Sequence, residues 1–236
     1  RKLLPEIRAA VRERSFILTA KQAGVWSPQV QETRRLELPA ALRRKFNEIE
    51  TDWSDGAIET KWSIVAQTWL CQLSAGVIPD DLGGGFHDFK AKHVAELLKT
   101  ELSGEPVVLW SRFTPEIHGT AAVLAKHGIS SVVIDGDVTG DLRDAQLELF
   151  RQGKRRVMIC NPTIAARGLD FSISDTAIIL SNMWDWETRF QLIRRLDHPQ
   201  KTRPTLIIDL VADDTVDEPI LKALGEKRRR ASYFTE

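Results

Sequence analysis

The sequence predicts an α/β protein built on a parallel β-sheet with helices covering both faces. Three observations carry this. Beyond residue 88, short apolar runs alternate with amphipathic stretches of helical length. The apolar runs lack polar alternation, as strands buried on both faces require. Glycines close successive helical stretches at Gly104, Gly128 and Gly153.

The elements follow in order. Residues 30–38 partly alternate and read as a strand. Pro39 suits a first helical turn, and 40–50 reads as a charged helix. Residues 57–75 form a further helix, in which Trp62 and Trp69 share a face and point to core packing. Asp80, Asp81 and Leu82, followed by Gly83, Gly84 and Gly85, form a loop and the best internal boundary. Helices are then expected over 89–102, 115–127, 141–152 and 187–196. Strands are expected over 106–110, 131–134, 156–160, 177–180 and 205–209.

Composition narrows the function classes. The 236 residues are 42% hydrophobic and 28% charged, an ordinary globular balance. The 33 basic and 33 acidic residues cancel, so nucleic acid cannot be gripped by overall charge. Local patches would have to do it, and three exist: 43–45, 154–156 and 227–230. Each also reads as a solvated face. No apolar run reaches the roughly 18–20 residues that span a bilayer. With no signal-peptide pattern either, a cytoplasmic location and no membrane partner are expected. Arg1 rather than Met opens the chain, so a longer parent protein is expected. Cys71 and Cys160 belong to no Cys-x-x-Cys pair and read as buried thiols of a reducing compartment. His87 and His93 lack a third ligand at workable spacing, so no metal site is expected within the chain.

In sheets of this kind, ligands meet the loops beyond the C-terminal strand ends. The loops after Trp110, Cys160 and Leu180 have unusual chemistry. The second runs from Asn161 through Thr163, Gly168 and Asp170 to Phe171. Gly168 permits a tight turn or a close approach of backbone to ligand. About 20 residues later, Gln191 and Arg195 fall four apart on one helical face, with His198 three further on. A glutamine and two cations along one stripe suit an anionic ligand such as a nucleotide phosphate.

These two segments resemble motifs V and VI of superfamily 2 helicases, most closely in the form of compact SNF2-type proteins of bacteria and phages. Other marks occur in order. Val107 to Arg112 resembles motif IV. Asp135-Gly136-Asp137 with Arg143 and Phe150 resembles the family's DG stretch. Trp184 matches a tryptophan between motifs V and VI. Thr215 to Glu218, with Ile220 and Lys227, resembles a helix that braces two lobes. Leu38-Pro39 and the helix behind them resemble the segment preceding this lobe.

The resemblance implies the second, C-terminal RecA-like lobe of a DNA-dependent ATPase. Residues 1–87 would be interlobe connection and helical appendage, 88–212 the RecA-like lobe, and 213–236 the C-terminal brace. Arg195 and His198 would be the catalytic cations, with Gly168, Asp170 and Gln191 binding nucleotide. Ser111, Arg112, Asn161, Thr163 and Lys154 would contact the DNA backbone. ATP with Mg2+ would be shared with an N-terminal RecA-like lobe. Trp110, Trp184 and Trp186 read as core or interlobe packing before base stacking.

Two departures bear on mechanism. His198 stands where the family has a second arginine, and Pro199-Gln200 follows without the family's glycine. A guanidinium is always charged, an imidazole near neutral pH only partly, so Arg195 must carry more of the role. Arg194 offers a second alignment, but it breaks the spacing from Gln191. The motif V hydroxyl assigned to Thr163 varies in register between families. The 236 residues hold no Gly-x-x-x-x-Gly-Lys-Ser/Thr loop and no Asp-Glu-x-His, so the chain by itself is not expected to hydrolyse ATP. The alternative is a non-catalytic RecA-like module that binds protein or nucleic acid.

Overall fold

A computed structural model describes residues 13, 28–54, 60–165, 169–197, 201 and 203–235, and every structural statement concerns these. In chain order the elements are β1 (Gln29–Leu36), α1 (Ala40–Ser54), α2 (Thr60–Ser74), β2 (Val77–Ile78), β3 (Gly85–Phe86), α3 (Phe89–Lys99), β4 (Val107–Trp110), α4 (Thr114–Lys126), β5 (Ser131–Ile134), α5 (Gly140–Arg151), β6 (Val157–Cys160), α6 (Pro162–Ala165), β7 (Thr176–Ile179), α7 (Trp186–Arg194), β8 (Thr205–Ala212) and α8 (Asp217–Thr235). Six strands form one parallel sheet in the order β1-β8-β7-β4-β6-β5. The fold is the expected α/β, RecA-like sheet flanked by helices.

Strand alternation explains the two helical layers. Every residue of β4, β6 and β7 is buried, which accounts for their unbroken apolar sequence. Val107 and Leu109 face a layer holding Leu98, Ile117 and Leu124, from α3 and α4. Val108 and Trp110 face the other, holding Phe150, Leu192 and Ile193, from α5 and α7. Each large apolar side chain so buried contributes roughly 1.5–3 kcal/mol. Trp110 is fully buried in this core, and both cysteines are free and buried.

One strand lies where the sequence division did not put it. Residues 1–87 read as connection and appendage, yet β1 pairs with β8 along its whole length, from Gln29 opposite Thr205 to Leu36 opposite Ala212. It extends the sheet beyond the 88–212 span and covers an apolar strand that would otherwise be an open edge. Behind it, α1 and α2 pack Leu42, Phe46, Leu70 and Leu73 against Ala212, with Trp69 alongside; the side chain of Trp62 lies outside the described part. The short β2–β3 pair docks on α4 through Phe86. Gly119 makes room for that ring, because a Cβ there would come 2.2 Å from it.

Candidate nucleotide and nucleic-acid site

Strands β8, β7, β4 and β6 are neighbours, so the loops after them meet at one edge of the sheet. Hydrogen bonds join these loops. The Arg112 backbone N–H donates to Ser181 Oγ at 2.8 Å. The Asn161 amide donates to the Arg112 carbonyl at 3.1 Å, and its Oδ1 accepts the Thr163 N–H at 2.9 Å. Asn161 thereby starts α6, a single turn that the sequence had shown only as loop. Arg112, Asn161 and Thr163 are brought together, with Thr163 exposed. The Arg112 guanidinium lies 5.2 Å over the Phe113 ring and near the Cys71 thiol.

Ser111 and Lys154 are placed otherwise. Ser111 is fully buried, and its hydroxyl donates to Glu116 at 2.5 Å, so it holds the loop from beneath. Lys154 precedes β6 whereas Asn161 follows it. In a parallel sheet the two lie at opposite ends, so Lys154 is not part of the cluster. Its neighbour Arg156 donates to the carbonyls of Leu98, Leu102 and Glu105 at 2.8, 3.2 and 3.3 Å. The first basic patch is likewise engaged: Arg43 donates to the carbonyls of Asp213 and Asp214, and Lys45 to that of Leu82.

Helix α7 carries the remaining candidate residues. Asp185 caps its start, accepting the N–H groups of Glu187 at 3.0 Å and Thr188 at 3.2 Å. The Thr188 hydroxyl also donates to it, and these bonds hold its carboxyl below the usual range. Arg189, Leu192, Ile193 and Leu196 form the buried stripe. Arg189 sets the helix against the sheet through a two-pronged pair to Asp209 of β8, both bonds 2.7 Å, with Asn182 joining. That orientation leaves Gln191 exposed, donating to Glu187 at 3.4 Å, and Arg195 partly exposed. The Phe171 N–H donates to the Arg195 carbonyl at 3.1 Å, which ties the loop after β6 to the end of α7. Asp170, one residue before, is exposed and accepts the Ser172 N–H at 2.9 Å. Arg194 pairs with Asp197 at 2.8 Å. Gly168, His198 and Gln200 lie outside the described residues.

Beneath these loops, Lys90 is buried and donates to Asp217 at 2.8 Å and to the carbonyls of Leu180 and Leu210. It fastens α3 to β7, β8 and α8. Trp184 and Trp186 pack beside Cys71, Ile220 and Leu224 of the α8 junction, and Lys227 donates to the Trp184 carbonyl at 2.6 Å. Sequence reasoning missed Lys90, Glu116, Asn182, Arg189 and Asp209. Arg189 had a readable signal, because it occupies an apolar-stripe position three and four residues before Leu192 and Ile193. Among the described residues, no group of three His, Cys, Asp or Glu could hold a metal ion, and no helix is long and apolar enough to cross a membrane.

Residues 90–198 match the helicase conserved C-terminal domain. DNA repair protein rad8 of Schizosaccharomyces pombe is 27% identical over 57% of this chain and 12% of its own length. Putative protein p41 of Acyrthosiphon pisum secondary endosymbiont phage 1 is 23% identical over 82% of this chain and 42% of its own. The chain thus spans less than half the length of these relatives. The Sulfolobus solfataricus SWI2/SNF2 ATPase C-terminal domain shares the fold, with a TM-score of 0.67 at 13% identity, over 85% of this chain and 86% of that one. The match runs from α3 to the end of α7, so this part of the chain is similar to a helicase C-terminal domain, in a fold shared with an SNF2-type C-terminal domain.

Proposed function

We propose that this lobe supplies one wall of an interlobe ATP site and grips a nucleic-acid backbone with the loops after β4 and β6. The observation that carries the reading is the bond from the Phe171 N–H to the Arg195 carbonyl, which joins the loop bearing Asp170 to the helix end bearing Gln191 and Arg195. Arg195 would stabilise charge on the transferred phosphate, with Gln191 beside it on the same helix face. Mg2+ would take its oxygen ligands from the nucleotide and the first lobe. Arg112 and Thr163 would contact phosphates without reading sequence, and Asn161 and Ser111 would hold their loops. Closure and opening of two such lobes around ATP would move them along DNA. An intracellular, nucleic-acid-associated location goes with this role.

The test is DNA-stimulated ATPase activity of a protein that joins this chain in cis to a phosphate-loop lobe. Turnover should depend on Arg195. Turnover by the 236-residue chain alone, abolished by Arg195→Ala, would overturn the shared-site reading. His198 favours a second reading, a lobe kept for binding, because a histidine stands at the second finger position. In the two-lobe protein, His198→Arg should keep or raise kcat if the position acts as a finger. Identical pH–rate profiles for wild type, His198→Arg and His198→Asn would remove His198 from the mechanism.

A further inference from the structure

Glu116 lies in the first turn of α4, 1% exposed, directly behind the Arg112 loop. One carboxylate oxygen accepts two hydroxyls, Ser111 at 2.5 Å from the end of β4 and Ser181 at 2.6 Å from the end of β7. The second oxygen is buried without a hydrogen-bond partner. Ser181 passes the link on: its Oγ donates to Glu116 and accepts the Arg112 backbone N–H at 2.8 Å. A single carboxylate therefore fixes the two strand ends between which Arg112 is presented.

We propose that Glu116 is a positioning residue for the Arg112 contact to the nucleic-acid backbone, acting through Ser181, and that the contact tightens when its carboxylate is charged. The inference rests on the reading of Arg112 as a backbone contact. A charged carboxylate makes both hydroxyl bonds charge-assisted, roughly twice as strong as neutral ones. The polarity of the chain then requires Ser181 to turn its lone pairs toward Arg112. A proton on the serine-bound oxygen instead competes with both hydroxyls, and a proton on the other oxygen weakens them.

The surroundings place the titration in an accessible range. Burial pushes the Glu116 carboxyl up to about 7, opposed by Lys90 of α3 and by the hydroxyls of Ser111 and Ser181, with Asp217 of α8 adding to the rise. From α2, Cys71 faces Arg112 and is itself pushed up by burial. Lys90 is paired with Asp217 at 2.8 Å.

The experiment measures binding of this chain to a short mixed-sequence DNA duplex from about pH 5.5 to about pH 8.5 at constant salt, for wild type, Glu116→Gln, Arg112→Ala and the double variant. Wild-type affinity, relative to Glu116→Gln, should rise roughly three- to tenfold with a midpoint near 7. That difference should vanish in the Arg112→Ala background. A through-space effect of the buried charge on DNA would persist there, and persistence overturns the proposal. So does a flat wild-type ratio while Arg112→Ala still weakens binding. If Arg112→Ala leaves binding unchanged, the backbone-contact reading itself falls, and the proposal with it. Should Glu116→Gln fail to fold, Ser181→Ala cuts the same link while leaving Glu116 in place. It should flatten the profile, and an unchanged profile overturns the proposal.

Discussion

The two ends of the sheet both carry basic side chains and use them differently. At the N-terminal end, Arg156 gives its guanidinium to three carbonyls around the end of α3, and Arg203 pairs with Glu105. The carbonyls belong to the last turn of α3 and the turn that follows it, so this cation braces the connection into β4. At the C-terminal end, Arg112 sits on a loop tied to its neighbours by backbone and short polar side chains, its N–H on Ser181 and its carbonyl on the Asn161 amide. The comparison teaches that a basic run in a sequence is not a binding patch until its position relative to the strand ends is known.

The largest expected contrast is catalytic. In a two-lobe protein, Arg195→Ala should lower kcat on the order of 10³-fold or more, the scale of an arginine finger. Arg156→Ala, which braces the end of α3, should leave kcat within about twofold. Comparable losses at both positions would break the contrast.

Second comes a stability effect at Glu116. Its carboxyl is raised in the folded protein from 4.5 to about 7, so the folded state holds a proton that the unfolded state releases. The associated stability is fully present below about pH 4.5 and is lost as pH rises through 7. On the order of 3 kcal/mol should disappear across that window in urea unfolding of wild type relative to Glu116→Gln. Parallel curves for the two proteins would show that the buried carboxyl is not perturbed.

Smaller losses separate fold-holding residues from ligand-holding ones. Arg156→Ala should cost about 2 kcal/mol, since it strips donors from partly buried carbonyls. Asp185→Ala should cost about 1 kcal/mol by uncapping α7, and should lower ATPase activity further because that helix presents Gln191 and Arg195. A full-strength ATPase with an uncapped α7 would mean that the helix start does not set the site.

Much of this was legible in the chain. The strands β4, β6 and β7 announce themselves as short, almost wholly apolar runs, because both faces of the sheet are covered there. The partnership of β1 was not legible: its residues lie more than 170 positions from those they pair with, and half-exposed alternation looks the same on an edge strand as in a free ribbon. The shared face of Gln191 and Arg195 follows from helical spacing alone. Glu116 was invisible for a different reason. A carboxylate in a first helical turn is the ordinary complement of the helix dipole, and only the fold reveals the two serines from neighbouring strands that enclose it. The separation of Lys154 from Asn161 was legible too, because its place before a strand sets it at the far end of the sheet.

The salt dependence of DNA binding by this chain tests the contrast between the two ends most directly. Counterion release gives a log–log slope of about −0.9 for each phosphate neutralised, so a lobe making two or three contacts should show roughly −2 to −3. Arg112→Ala should bring that slope about one unit closer to zero and weaken all sequences alike, whereas Lys154→Ala should leave slope and affinity nearly unchanged. A slope reduced by Lys154→Ala and untouched by Arg112→Ala would put the nucleic acid at the N-terminal end of the sheet and contradict the account.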